Sequence, residues 1–335
     1  MDVSIDVHRQ WRQFLEQRGF AIDDSAAPRA RSTRIDVDVA ATRCVDLNHL
    51  TAMRFSGPDA VTFLQGYLTC DIRALSAARA LFGALCNIKG RVVADALVAL
   101  TGGHPTLVVD ASLRQPIETS LAKYLAFSRS RFDPPGAAPI LLGLVNPVPA
   151  DLPAVPMTST PFRGGVAVAL PGPQPRVLVA LPYDAAANLW NEYESHARAG
   201  DALVWDLLDV RAGLAHVTAA TSEEFLPQML DYDRIDAISF TKGCYLGQEI
   251  VARTQHLGRP KRHLQRLGWH GAPAPAIGSK LTTAAGAAAG TLVAVAQTAI
   301  DAGEALAVLA DSSAGDLHAT GVTFISAPHP SSAIR

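Results

Sequence analysis

The stretch Lys242-Gly243-Cys244-Tyr245-Leu246-Gly247-Gln248-Glu249, with Arg253 shortly after it, gathers a thiol, an ammonium, an amide, a carboxylate and a guanidinium within twelve residues. A thiolate is a nucleophile and a soft metal ligand, and a neighbouring cation such as Lys242 or Arg253 lowers a thiol's pKa. The opposing reading makes Cys244 a small buried hydrophobe, as most free cysteines are. Gly243 and Gly247 mark tight turns or close approach of the backbone to a ligand. Gln248 and Glu249 offer donors and acceptors suited to the edge of a heterocycle. Glu249 is equally placed to pair with Arg253 four residues further along a helix.

Two other groups carry chemistry. Upstream, Asn87, Lys89, Gly90 and Arg91 sit in a turn before a strand, where backbone and ammonium reach a ligand or simply close a hairpin. Lysine occurs five times, and Lys89 and Lys242 both stand directly before glycine, which points to two loops serving one pocket. Downstream, Arg253, Arg259, Lys261, Arg262 and Arg266, with His256 and His263, form a basic block around the turn Gly258-Arg259-Pro260. Such a block is a solvated face, an anion site or a contact to a nucleic acid backbone, with a ligand anion ranked above nucleic acid. The histidines lack ligand spacing, so no stably bound metal is expected.

These groups need a scaffold. Residues 8 to 20 place Trp11, Phe14, Leu15 and Phe20 at helical spacing ending at Gly19. HLTAMRFSGPDAVTFLQG predicts a strand, a turn at Ser56-Gly57-Pro58, and a helix opening at Pro58. RVVADALVAL and PTLVVDA, split by Gly102-Gly103, predict a hairpin, and SLRQPIETSLAKYLAF a helix. LLGLV, GVAVAL and VLVAL read as strands of a second α+β module, with DAAANLWNEYESHARAG as its helix. ALVWDLLDVRAGLAHV resumes a helical pattern. After Arg262, LQRLGW, SKLTT, GTLVAVAQ, ALAVL and ATGVTFI fit short strands of a small barrel, with GAAAG between them as a tight turn.

Composition narrows the class. A chain of 335 residues with 49% apolar content is expected to build two or three domains. A net charge of -2 with mixed signs argues against a broad footprint for duplex nucleic acid. Cys44, Cys70, Cys86 and Cys244 lie far apart without CxxC spacing, so free thiols in a reducing compartment are expected. The N-terminus lacks a basic leader followed by an apolar run, and no stretch reaches the roughly 18 to 20 apolar residues of a membrane span. The chain is therefore read as cytoplasmic, with no membrane partner.

FLQGYLTCD at 63–71, LCNIKGR at 85–91, RAGLAHVTAATSEEFLPQM at 211–229 and ISFTKGCYLGQEIVARTQHLGRPKRHL at 238–264 together resemble the YgfZ family of folate-binding proteins, relatives of the glycine-cleavage T-protein. The resemblance covers roughly residues 44 to 330, and the K-G-C-Y-x-G-Q-E signature is specific. It implies an α+β, three-domain T-protein-like ring with a C-terminal β-barrel: an N-terminal extension over 1–43, a discontinuous folate-binding domain over 44–125 and 203–260, an inserted α+β domain over 126–202, and a barrel over 261–335. It implies tetrahydrofolate or a one-carbon derivative as cofactor. It also implies a role in iron-sulfur cluster assembly or repair for client enzymes or cluster-assembly proteins, some of them acting on tRNA.

In that family function turns on the motif cysteine, which maps onto Cys244. Lys242, Tyr245, Gln248 and Glu249 map onto the rest of the signature, and Gln65, Asp71, Asn87 and Lys89 match its N-terminal pattern. With Arg253 for the anionic tail, these are the expected cofactor-binding residues. The T-protein run Gly-Gly-x-x-Asp-Asp reads here Gly90-Arg91-Val92-Val93-Ala94-Asp95, so one acidic position is lost. Asp95 is the catalytic candidate if the chain is instead an aminomethyl or other one-carbon transferase. The accessory role ranks above that enzyme, and direct tRNA contact through the arginine block ranks last, because few aromatic rings stand near it for base stacking.

Overall fold

The computed structural model describes residues 6–22, 30–31, 35, 37–147, 151–194, 202–258, 260–313 and 315–327. Two five-stranded antiparallel sheets and a closed barrel surround a central cavity. The first sheet runs in the order Leu81–Cys86, Val92–Thr101, His104–Asp110, Leu50–Ser56 and Arg131–Phe132. Its middle hairpin turns at Gly102-Gly103, where both glycines take positive φ, as the sequence predicts. The helix Ala60–Gln65 starts two residues later than expected, because Pro58 stays in the turn and the Asp59 carboxylate binds the Arg129 guanidinium (2.8 Å) in place of the helix amides.

The second sheet runs Ser159–Phe162, Gly165–Leu170, Arg176–Leu181, Ile140–Val145 and Arg43–Asp46. Strand Arg43–Asp46, close in sequence to the first sheet, pairs instead with Ile140–Val145. The alternation of this sheet's apolar residues decides which neighbours it takes. Leu141, Val168, Leu178 and Ala180 face the helix Leu203–Ala212 and the molecule's main core. Leu142, Leu144, Ala167 and Val179 face outward, where the helices Val7–Glu16 and Tyr183–Glu194 cover them. Gly143 is glycine because Trp205 lies flat against the strand there: a Cβ at that position would stand 2.5 Å from the Trp205 ring.

The N-terminal helix is anchored by Trp11, which is fully buried, meets Trp190 edge-on at 5.7 Å, and donates its indole N–H to Asp46 at 2.8 Å. Burial pushes the Asp46 carboxyl up to about 7, against the pull of that hydrogen bond. This helix ends at Glu16, before the predicted Gly19, and the expected continuation of the second-module helix past Glu194 lies outside the described residues.

The six-stranded barrel is formed by Arg262–Gly271, Lys280–Thr283, Ala288–Ala299, Ala302–Ala310, Leu317–Ala319 and Val322–Ser326 around Trp269 and Phe324. GAAAG is half turn and half strand, since Ala288 to Gly290 already belong to a barrel strand. Among the described residues, no helix is long and apolar enough to cross a membrane.

Candidate functional site

The cavity lies where the two sheets and the helix Leu203–Ala212 converge. Its walls are mainly apolar, with Phe82, Leu97, Val108, Leu178 and Trp205 among them. Phe82, Met157 and Ile235 also border an opening to the surface. Toward the barrel the cavity continues into a space lined by Asp110, Asp206, Asp209 and His216. Mostly apolar walls with a few convergent polar groups are common in ligand pockets.

The polar end is a chain of four buried or half-buried charges drawn from different elements. Asp95, on strand Val92–Thr101, accepts the Val217 amide at 2.6 Å with Oδ1 and faces His216 Nδ1 at 2.7 Å with Oδ2. On the other side of the ring, His216 Nε2 lies 3.7 Å from Asp209 Oδ2. Asp209 Oδ1 meets Arg176 Nη1 at 2.7 Å, and Arg176, whose guanidinium lies over the Trp205 ring, donates twice to the Pro171 carbonyl. Burial alone would pull His216 down, but the Asp95 charge and the Asp209 and Asp95 contacts hold it well above its ordinary value. Burial would raise Asp209, and the Arg176 guanidinium and His216 outweigh it and hold the carboxyl low.

The signature residues form a second neighbourhood. Segments 65–71 and 237–247 are joined by Thr69 Oγ1 donating to the Ala237 carbonyl (2.6 Å), the Ser239 amide to the Thr69 carbonyl (2.9 Å), and the Leu246 amide to the Gly66 carbonyl (3.1 Å). The Lys242 ammonium donates to the carbonyls of Leu68 (2.6 Å) and Cys70 (2.8 Å), and desolvation lowers its pKa to about 8. The cation that the sequence sets beside the thiol is therefore used inside the scaffold. Tyr245 is buried, which raises its phenol, and its amide donates to Gln248 Oε1 at 3.0 Å.

Gly247 presses on the Asn87–Gly90 turn at φ 83, where a Cβ would lie 2.4 Å from the Asn87 carbonyl. The Asn87 side chain closes that turn by accepting the Lys89 and Arg91 amides. Gln65 and Asp71 shape the turn that follows Cys70: Gln65 donates to Asp71 (3.0 Å) and accepts the Ile72 amide (2.9 Å), while the Arg73 hydrogen bond outweighs desolvation and holds Asp71 well below the usual carboxylate range. Gly247→Ala is expected to cost about 1–3 kcal/mol through its positive φ and the carbonyl contact, read as a lower urea midpoint.

The two lysine-glycine loops do meet, through Gly247 and Gly90. Their nine expected ligand residues (Gln65, Asp71, Asn87, Lys89, Lys242, Tyr245, Gln248, Glu249 and Arg253) share this neighbourhood, and none of them lines the cavity. Gly90 and Asp95 lie five positions apart, roughly 16 Å of extended chain, with the strand beginning at Val92. Glu249 and Arg253 are exposed on the helix Gln248–Leu257 with no ion pair between them. Cys244 is the one exposed cysteine of four, and exposed Ile88, Phe240 and Ile250 stand on the same packed segments.

Part of the basic block is spent on the barrel: Arg266 lies 3.6 Å from Glu304, which also takes Arg211, and His263 lies 3.4 Å from Asp311. Arg259 lies outside the described residues. His216, Asp209 and Arg176 were not singled out in the sequence. A lone histidine in an apolar run carries no spacing signal, and its partners lie on separate elements.

No family model matches the chain. Over 245 residues it is 30% identical to the tRNA-modifying protein YgfZ of Yersinia pestis, an alignment covering 71% of this chain and 74% of that protein. The chain belongs to the YgfZ family. A second YgfZ, from Colwellia psychrerythraea, is 34% identical over 241 residues, covering 67% of this chain and 70% of its own. Among solved structures, the aminomethyltransferase T of the glycine cleavage system from Bartonella henselae superposes with a TM-score of 0.75 at 16% identity, covering 96% of each chain. This YgfZ-family chain therefore has the T-protein-like fold, closed by the C-terminal barrel.

Proposed function

We propose that this chain is a tetrahydrofolate-binding accessory protein that supports iron-sulfur cluster assembly or repair in client enzymes, including enzymes that modify tRNA, and that Cys244 is its functional thiol. The observation that carries this reading is the division of the molecule into a mainly apolar central cavity and an exposed cysteine on a separate loop. The residues present fit the cofactor: apolar walls suit a stacked ring and its aryl linker, and the charged end suits the polar edge of a pterin. Tetrahydrofolate, when bound, supplies a carrier for one-carbon units. Phe82, Trp205 and Leu178 would enclose its rings and exclude water.

Outside the cavity, the Lys242 contacts and Gly247 hold the loop so that Cys244 faces solvent beside Ile88, Phe240 and Ile250, a surface suited to a protein client. One thiolate does not hold a cluster, which usually takes four, so the client or a donor protein would supply the remaining ligands. The names of the relatives support the link to tRNA modification.

The rival reading, a one-carbon transferase working through Asp95, needs a carboxylate oxygen open to the reacting amine. Oδ1 is engaged by the Val217 amide and Oδ2 by His216, which favours the accessory role. Expressed in a bacterial strain lacking its own YgfZ, the chain is expected to restore iron-sulfur-dependent tRNA modification, measured by mass spectrometry of tRNA nucleosides. A well-expressed chain that leaves those nucleosides unmodified would overturn the reading.

A further inference from the structure

We propose that the end of the helix Arg114–Leu125 is a contact surface for single-stranded RNA, with Phe127 as the ring on which a base stacks and Lys123 and Arg131 as the cations that hold the backbone. The choice of RNA rests on the link to tRNA modification proposed above, and the surface itself is separate from the central cavity. Phe127 is 94% exposed and makes no ring contact among the described residues. It stands two positions past the helix end, where its amide donates to the Tyr124 carbonyl at 3.2 Å. The rings beside it are spent on one another: Phe63 stacks on Tyr67 at 4.6 Å, Tyr67 meets Tyr124 at 5.1 Å, and the Lys123 ammonium sits 4.8 Å above the Tyr124 ring. Of this group, Phe127 is the one left open to a ligand.

The charges around the ring have one sign left over. From Thr119 to Phe132 the chain carries Lys123, Arg129 and Arg131 and no acid. Arg129 donates through two nitrogens to Asp59, at 3.0 and 2.8 Å. The other carboxylates on the adjoining elements are taken as well: Glu118 by Arg114 at 3.0 Å, Asp71 by Arg73 at 2.7 Å, and Asp133 by Arg54. Lys123 and Arg131 are exposed and form no ion pair among the described residues. Arg131 turns outward because the next strand residue, Phe132, packs inward on Phe55 at 4.8 Å. Lys123 lies one helical turn before Phe127, and Arg131 lies four positions after it, within roughly 14 Å of chain.

An open ring between unpaired cations is the arrangement that binds single strands, where a base stacks on the aromatic face and the phosphates follow the positive charge. A stable protein interface needs a far wider apolar surface than one ring supplies. The basic block around Arg259 has the charge without such a ring, which separates it from this surface. The two lie on different elements, and it is the surface at Phe127 that adjoins the signature loop: Tyr67, in contact with Tyr124, belongs to the segment 65–71, whose Gly66 carbonyl accepts the Leu246 amide at 3.1 Å. RNA held at Phe127 is thereby brought to the elements that carry Cys244.

The test is fluorescence anisotropy of a labelled single-stranded RNA oligonucleotide of mixed sequence, and of the same strand annealed to its complement, titrated with the full chain at several salt concentrations. The wild type is expected to prefer the single strand, with log K falling against log salt at a slope of roughly −1.4, as two phosphate contacts give. Phe127→Ala is expected to weaken binding about tenfold, Phe127→Trp to preserve it, and Arg131→Gln to reduce the slope by about half. Phe127 is exposed, so none of these effects is carried by unfolding, and tetrahydrofolate affinity is expected to be the same in all the variants. Absence of RNA binding by the wild type, equal affinity for the duplex, or binding that Phe127→Ala and Arg131→Gln leave unchanged overturns the proposal. Each of those results leaves the accessory role standing, since that role is decided by the rescue of tRNA modification.

Discussion

Cys244→Ala is expected to abolish the restoration of iron-sulfur-dependent tRNA modification in the deletion strain while leaving tetrahydrofolate affinity unchanged. The separation of the two neighbourhoods requires both halves of that result. Cys244 is exposed and makes no part of the cavity lining, so losing its sulfur removes no ligand contact. The loop itself survives, because Lys242, Tyr245 and Gly247 hold it through backbone contacts that alanine at position 244 leaves intact. The three buried cysteines are poor substitutes: desolvation raises the Cys70 thiol to about 11 and the Cys86 thiol to about 12, and pushes Cys44 higher still. Full rescue by Cys244→Ala would remove the thiol from the mechanism. Loss of folate binding in the same variant would place the loop in the cavity after all.

Arg176→Met is expected to be the most destabilising single change at the cavity, by about 3–5 kcal/mol, since removing one partner of a buried pair leaves the other charge uncompensated. The Arg176 side chain is wholly buried and holds Asp209 and the Pro171 carbonyl at once, so it joins the second sheet to the helix Leu203–Ala212. Urea unfolding followed by tryptophan fluorescence reads the loss, because Trp205 lies under the guanidinium. The double variant Arg176→Met with Asp209→Leu is expected to recover most of the stability, as apolar replacements of a buried pair commonly do. No recovery would show that the pair does more than neutralise itself.

Local pattern carried much of the architecture. The hairpin at Gly102-Gly103, the three apolar strands of the second module and the barrel strands after Arg262 were legible because alternation and glycine punctuation are local signals. The strand Arg43–Asp46 was not legible as part of the second sheet, since its partner Ile140–Val145 lies about a hundred residues away. A four-residue strand reading Arg-Cys-Val-Asp does not state which edge it joins.

The site divides in the same way. The signature drew attention to a loop that does bring its residues together, and Asp95 does line the cavity. The direction of Lys242, inward to the carbonyls of Leu68 and Cys70 and away from the thiol, depends on a packing the sequence does not display. His216 was legible least of all, because its meaning comes from Asp95, 121 positions earlier, and from an Asp209–Arg176 pair that crosses between elements.

The most direct measurement is equilibrium titration of the wild-type protein with tetrahydrofolate by calorimetry under reducing conditions, repeated on Leu178→Trp, which narrows the cavity wall. Saturable one-to-one binding that Leu178→Trp weakens sharply and Cys244→Ala leaves unchanged is the expected result. Absence of saturable binding to the folded wild-type protein, or binding indifferent to Leu178→Trp, would contradict a folate site in the central cavity.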